Sequence, residues 1–287
     1  MSSVRLGVYE KALPSGVSWE ERLTLARRLG FHYLELSIDE SEPRQARLEA
    51  GCLERREIRR AVERTGIPVA SLCLSAHRSN PLGSASSETR ARAVRILRDA
   101  IDLSVELGVR IVQLAGYYVY YEPETADSAQ RYLEGLAVGL EHAARSGVLL
   151  GIENMDTRGI TSLAAGLRVI DTLASPYLQL YPDIGNLSER GHDTLVELSL
   201  ARGRMIALHV KDARPGEPRR VPFGEGAVPF EAGFAQLAAD GFSGPVVIEM
   251  WNDDAPDSVQ LLGAARAWVA SRLVAAGFVV EGEGESA

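Results

Sequence analysis

Short apolar runs alternate with longer amphipathic segments eight times along this chain, and that alternation restricts its fold more than any other property. The runs are 4–9 (VRLGVY), 32–37 (HYLELS), 68–75 (PVASLCLS), 109–115 (VRIVQLA), 148–153 (VLLGIE), 177–182 (YLQLYP), 205–210 (MIALHV) and 245–250 (PVVIEM). Near-continuous hydrophobicity over such short lengths suits strands covered on both faces, as a parallel sheet requires. Helical periodicity fills the gaps at 18–29, 53–64, 87–107, 126–146, 161–173, 193–201, 230–240 and 257–276. Ser18 and Glu21 have capping-box spacing, and Gly30, Gly66, Gly108 and Gly147 follow helices as stops. Strict alternation in a chain of 287 residues predicts an α/β fold, a closed (β/α)8 TIM barrel. An open doubly wound sheet fits less well, because the first turn, GVYEKALPSG, carries no GxGxxG fingerprint. One barrel domain over 1–279 is expected, with an acidic, disordered tail at 280–287 (VEGEGESA). The polar stretch 212–226 (DARPGEPRRVPFGEG) reads as a long, functional loop.

Composition removes several function classes. A net charge of −8 and a pI near 5.3 argue against a nucleic-acid partner, whose phosphates call for clustered cations. No apolar run approaches the roughly 20 residues that span a bilayer, so no membrane partner is expected. The opening MSSVRLGVYEKALP lacks signal-peptide regions, which makes the cytoplasm the expected compartment. Cys52 and Cys73 suggest neither a disulfide framework nor a zinc knuckle, and Cys73 reads as a buried small hydrophobe. All but two of the 31 basic residues are arginine; the exceptions, Lys11 and Lys211, both follow predicted strands.

Four side chains that can bind metal stand at the ends of the last four runs: Glu153, Asp183, His209 and Glu249. Their spacings of 30, 26 and 40 residues are each close to the roughly 30 residues of one βα unit. In a barrel these ends meet at the face where active sites are built. Three carboxylates and an imidazole suit one divalent ion, Mn²⁺ before Mg²⁺, Co²⁺ or Zn²⁺, with positions left for substrate oxygens. Such an ion would polarise a ketose carbonyl and stabilise an enediolate. Glu153 and Glu249, on the fifth and eighth strands, would face each other across the mouth as two acid/base groups. Removing a proton from one face and returning one to the other inverts a carbon; a 1,2-shift by the same pair isomerises instead. Asp183 also suits a turn with Gly185 and Asn186, and His209 also suits a core position between Leu208 and Val210.

Cations after the seventh strand form a candidate phosphate cradle: Lys211, Arg214, Arg219 and Arg220, with backbone N–H groups of Gly224 and Gly226. His77 and Arg78 form a second cationic pair after the third strand. Tyr117, Tyr118, Tyr120 and Tyr121 wall the pocket or pack a subunit contact.

The segments GVYEKALP, SLCLSAHRSNPLGS, QLAGYYVYY, LQLYPDIGNLS, HVKDARPG, VPFGEG and VIEMW together resemble the L-ribulose-5-phosphate (L-xylulose-5-phosphate) 3-epimerases, within the xylose-isomerase-like barrel superfamily. The resemblance runs over about residues 5–276. It implies metal-dependent interconversion of L-ribulose 5-phosphate and L-xylulose 5-phosphate, as in L-ascorbate breakdown. It implies Glu153, Asp183, His209 and Glu249 as metal ligands and both glutamates as catalytic acid/base. Position after strands makes Lys11, His77, Arg78, Lys211 and Arg214 candidate substrate contacts, and the resemblance adds Asn186 and implies a homodimer. Asn186 stands where related ketose 3-epimerases often have histidine, and Arg214 where HVKDxKPG would have lysine. The nearest alternative is a ketose–aldose isomerase acting on a hexulose 6-phosphate or hydroxypyruvate-like substrate with the same ligands. An abasic-site endonuclease would need several metals, more ligands and a basic face. A non-catalytic sugar-binding barrel would lose a ligand, and all four are present.

Overall fold

In the computed structural model, which describes residues 2–281, eight parallel strands form one sheet. They are β1 (Leu6–Tyr9), β2 (Tyr33–Ile38), β3 (Val69–Leu74), β4 (Ile111–Ala115), β5 (Leu149–Glu153), β6 (Leu178–Leu180), β7 (Leu208–Val210) and β8 (Val246–Ile248). Neighbours follow chain order from β1 to β6, and β8 lies between β1 and β7. The last gap is closed by irregular bridging. Leu180 N–H donates to Arg204 O and Ile206 N–H to Leu180 O, and parallel bridges join Leu180 to Met205 and Asp183 to His209. The barrel therefore seals at two of the four predicted ligands.

Each strand is followed by a helix that covers it. These are α1 (Trp19–Arg28), α2 (Leu53–Thr65), α3 (Ser87–Leu107), α4 (Ser128–Ser146), α5 (Leu163–Leu173), α6 (Thr194–Leu200), α7 (Phe230–Ala239) and α8 (Ser258–Ala275). Ser18 and Glu21 make the reciprocal capping box at the start of α1. Two short helices, Glu42–Ala46 and Ile184–Glu189, had no periodic signal, being shorter than two turns.

Strand register divides the core in two. Tyr9 pairs with Glu35, Glu35 with Ser71, Cys73 with Gln113, and Val247 with His209, so these alternate residues share the inner face. Their neighbours, such as Val8, Leu34, Leu36, Leu72 and Leu74, face outward into the helices and form the main apolar core. The barrel interior is unusually polar, with Glu35, Ser37, Ser71, Gln113 and His209 all essentially inaccessible. Space at its floor is tight: a Cβ on Gly7 would lie 2.1 Å from the Tyr33 ring, so only glycine fits there.

Two expectations need correction. The stretch 212–226, expected as one long loop, contains a hairpin in which Asp212–Arg214 pairs antiparallel with Glu217–Val221 beside the mouth. The expected disordered tail begins too early. Val279–Val280 pairs in parallel with Ser3–Val4, Val280 is buried, and Glu281 N–H donates to Val4 O. The rest of that tail, 282–287, lies outside the described residues. Both cysteines are free, with Cys73 buried, and among the described residues no helix is long and apolar enough to cross a membrane.

Candidate metal and active site

Glu153 ends β5, His209 is the middle residue of β7, and Glu249 directly follows β8. Asp183 lies just past β6, where its Oδ1 accepts from the N–H groups of Gly185 (2.8 Å) and Asn186 (3.1 Å) and caps the short helix Ile184–Glu189. The turn role and the ligand role coexist, because Oδ2 remains for the site. One donor atom from each of Glu153, Asp183, His209 and Glu249 lies within 4.8 Å of the others, and all four residues are buried. Three carboxylates and an imidazole in that space fit a divalent metal ion.

The orientation of His209 supports the fit. Its Nε2 donates to Glu35 Oε1 at 2.6 Å, which leaves Nδ1, 3.0 Å from Glu153 Oε1, facing the carboxylate group. A buried carboxylate on the far ring nitrogen fixes tautomer and ring plane, as in histidine ligands of metals. Glu35 itself accepts from Ser71 Oγ at 2.7 Å and from Tyr181 OH at 2.6 Å. Sequence reasoning missed Glu35. Its signal was a carboxylate in the middle of a strand buried on both faces, where only a paired charge is tolerated.

The carboxylates are held from behind as well. Gln113 Nε2 donates to Glu153 Oε2. Asn154, also missed, joins two strands: its Oδ1 accepts from Asp183 N–H at 2.8 Å and its Nδ2 donates to Asp183 O at 2.9 Å. Asn186 Nδ2 in turn donates to Asn154 O at 2.8 Å. Lys211 Nζ bridges Asp183 Oδ2 (2.5 Å) and Glu249 Oε2 (2.7 Å). These contacts set the charges of the protein alone. Burial pushes Glu153 up to about 7 despite the opposing pull of His209. Burial would raise Glu249 too, but Lys211 and His209 outweigh it and hold that carboxyl at about 2. Burial alone would lower the His209 pKa; Glu35 and Glu153 outweigh it and leave the ring well above its ordinary value.

The four ligand candidates do not stand alone. Glu153, Glu249, Lys211, Asn186, Lys11 and Arg78 line one cavity at the strand ends. Lys11 pairs with Asp39 at 2.5 Å, and Arg78 lies 4.9 Å from the Tyr120 ring centre. Arg219 also reaches the cavity, from the hairpin, and pairs with Asp156 at 2.8 Å. Two predicted contacts are elsewhere. His77 points outward to α3, donating from Nε2 to Ala93 O at 3.1 Å, and burial lowers its pKa to about 4. Arg214 lies on the exposed side of the hairpin, facing Glu217 and Glu225. The glycine N–H groups expected in a phosphate cradle are committed: Gly224 and Gly226 both donate to Asp212 Oδ2, at 2.8 and 2.9 Å. Tyr117 is buried and donates to Ser75 O, Tyr121 is exposed and donates to Glu40, and both pack on Tyr120 behind Arg78, while Tyr118 packs on Tyr132; none of the four lines the cavity.

Fold and site define a (β/α)8 barrel with a buried divalent-metal site at its carboxyl-terminal mouth. Comparison with known proteins narrows that class. The chain belongs to the xylose isomerase-like TIM barrel family, whose model matches residues 23–272. It is 44% identical over 276 residues to the L-ribulose-5-phosphate 3-epimerase UlaE of Escherichia coli (strain SMS-3-5 / SECEC), covering 96% of this chain and 97% of that one. Identity and coverage are the same for the L-ribulose-5-phosphate 3-epimerase UlaE of Salmonella paratyphi C (strain RKS4594). Among solved structures, an L-ribulose 3-epimerase superposes with a TM-score of 0.80 at 21% identity, covering 95% of each chain. The 3-keto-D-glucoside 4-epimerase YcjR of E. coli superposes with a TM-score of 0.78 at 21% identity, over 94% of this chain and all of that one. These two likenesses concern the fold. All four named proteins are sugar epimerases, that is, isomerases acting on sugars.

Proposed function

We propose that this protein is a divalent-metal-dependent 3-epimerase that interconverts L-ribulose 5-phosphate and L-xylulose 5-phosphate. The observation that carries the reading is geometric: Glu153 and Glu249 line one cavity as members of a four-residue metal-binding group. The 44% identity to L-ribulose-5-phosphate 3-epimerases supports the choice of substrate.

Glu153, Asp183, His209 and Glu249 would hold a divalent ion, Mn²⁺ by preference for this hard donor set, and the ion would supply Lewis-acid polarisation of the substrate carbonyl. The proton work falls to the glutamates. One takes the proton from C3 on one face of the sugar, and the other returns a proton to the opposite face, so C3 inverts. Gln113 and His209 hold Glu153, and Lys211 holds Glu249, so each carboxylate has a fixed approach. Asn186 keeps a buried, unpartnered Oδ1 on the cavity wall, suited to accept from a sugar hydroxyl. Lys11, Arg78 and Lys211 supply positive charge for the substrate's oxygens and phosphate. The same reading places the activity in the cytoplasm, in breakdown of L-ascorbate and related pentoses, with a homodimer as the assembly.

The test is turnover of L-xylulose 5-phosphate in D₂O with added Mn²⁺. Deuterium is expected at C3, and a chelator should abolish its entry. Label at C1 would instead assign a ketose–aldose isomerase.

A further inference from the structure

A line of buried ion pairs runs behind the mouth where β1 and β2 end, and the chemistry described above uses only its last member. Its centre is Glu10, which is 2% exposed. Arg47 holds both carboxylate oxygens of Glu10, at 2.7 and 2.9 Å, and Ser37 N–H donates to one of them at 2.8 Å. Arg22 adds a contact at 3.3 Å. Behind them, Arg47 reaches Glu54 on α2 at 2.9 Å, and both arginines lie over the Trp19 ring of α1. Arg44, on the short helix Glu42–Ala46, carries the line outward. Its Nε lies 3.5 Å from Glu10, and its Nη1 donates to Asp39 Oδ2 at 3.3 Å. Asp39 directly follows β2 and pairs with Lys11 at 2.5 Å, and Lys11 lines the cavity.

Desolvation offsets much of the attraction in buried ion pairs, so this line is a poor source of stability. What it fixes is direction. Glu10 and Lys11 are successive residues of one 3-10 turn, with the carboxylate turned into the line and the ammonium at the cavity. Asn252 N–H donates to Lys11 O at 2.7 Å and holds the backbone there. The backbone does not place the ammonium, which stands on a long, flexible stem. Asp39 does. Its Oδ1 accepts from the N–H (2.9 Å) and the hydroxyl (2.5 Å) of Ser41, while Arg44 meets Oδ2. Burial would raise the pKa of Asp39, but Lys11 and Ser41 outweigh it and hold the carboxyl at about 2. Because Ser41 and Arg44 satisfy the carboxylate by themselves, Lys11 can lean towards a substrate oxygen without leaving a buried charge unpaired.

We propose that Asp39 is a positioning residue: anchored through Arg44 to the Glu10 hub, it holds the Lys11 ammonium at the cavity wall, where that ammonium meets the oxygens of the substrate. The identity of the substrate rests on the sugar-phosphate reading above; the pairing does not.

The experiment measures kcat and KM for L-xylulose 5-phosphate at saturating Mn²⁺ in the wild type, Lys11→Met, Asp39→Asn, Asp39→Glu, Arg44→Met and the double variant of Lys11→Met with Asp39→Asn. Lys11→Met and Asp39→Asn should each raise KM about tenfold and leave kcat little changed, as for residues coupled by direct contact. Acting through Lys11, Asp39→Asn should add nothing to Lys11→Met, so the double variant should match Lys11→Met alone. Arg44→Met should raise KM by less, about threefold, and Asp39→Glu should recover part of the loss. A further tenfold loss from Asp39→Asn in the Lys11→Met background marks a merely structural role and overturns the proposal, as does a wild-type KM in Lys11→Met. A second readout needs no turnover. Lys11 and Lys211 are the only lysines in the chain, so methylation with ¹³C-formaldehyde gives an NMR signal for Lys11, identified by its loss in Lys11→Met. Asp39→Asn should shift that signal, and an unmoved one refutes the pairing. A wild type inactive on L-xylulose 5-phosphate whose Lys11 signal still shifts in Asp39→Asn overturns the sugar-phosphate reading while supporting the pairing.

Discussion

Replacing Glu35 by glutamine tests how His209 is prepared for a metal. Three donors meet the two oxygens of Glu35: His209 Nε2 at one, Ser71 Oγ and Tyr181 OH at the other. Glutamine offers one oxygen and one NH₂ group. If the oxygen keeps the two hydroxyl donors, the NH₂ faces His209 Nε2, which must then become an acceptor. The ring proton moves to Nδ1, the nitrogen that faces Glu153 and the other ligands. If the amide turns the other way, Nε2 keeps its acceptor and two buried hydroxyls face N–H groups. Either arrangement weakens ligation or leaves buried groups unpaired. Loss of such a partner typically costs 10–100-fold in metal affinity, about 1.4–2.7 kcal/mol. The Kd for Mn²⁺, measured by competition with a fluorescent chelator, should therefore rise by about that factor, with kcat recovering most of its value at saturating metal. An E35Q protein that is folded and binds Mn²⁺ as tightly as wild type would refute the idea that Glu35 sets the His209 tautomer.

Glu153→Gln and Glu249→Gln should each lower kcat by about 10²–10⁴-fold, with the circular dichroism spectrum kept. Near-full activity in either variant rules out the two-base scheme. Metal binding must displace protons, since His209 stands above its ordinary pKa and Glu153 at about 7. Affinity should fall as pH drops through about 7, and calorimetry in buffers of different ionisation enthalpy should detect the released protons; a pH-independent Kd contradicts this. His77 is buried with its pKa lowered to about 4 from 6.5, so the unfolded chain takes up a proton that the folded one refuses. Its contribution is complete above about pH 6.5 and is lost as pH falls towards 4, up to about 3 kcal/mol. His77→Gln should flatten the urea midpoint across that window, and an unchanged slope counts against the assignment. Saturating Mn²⁺ at about 100 times Kd should add about 2.7 kcal/mol of stability, reversed by chelator. An unshifted Tm on metal addition would sink the metal site.

Periodicity, caps and breakers are local, so the sequence by itself determined the order and type of the main elements, as α3 at Ser87–Leu107 and the capping box at Ser18 illustrate. It also determined that Glu153, Asp183, His209 and Glu249 stand at or near strand ends, because that depends only on where each apolar run stops. The short helix Ile184–Glu189 was less legible, since its cap, Asp183, belongs to the site as well as to the turn. What each side chain meets was decided by tertiary structure. Glu35 joins His209 across 174 positions, and closure of the barrel at Asp183 and His209 comes from bridges between separate strands. The direction of a residue past a strand end is set by neighbouring strands, so His77 turns out to α3 while Arg78, one residue on, lines the cavity. Register alternation and packing resolve that choice, and both depend on residues distant in the chain.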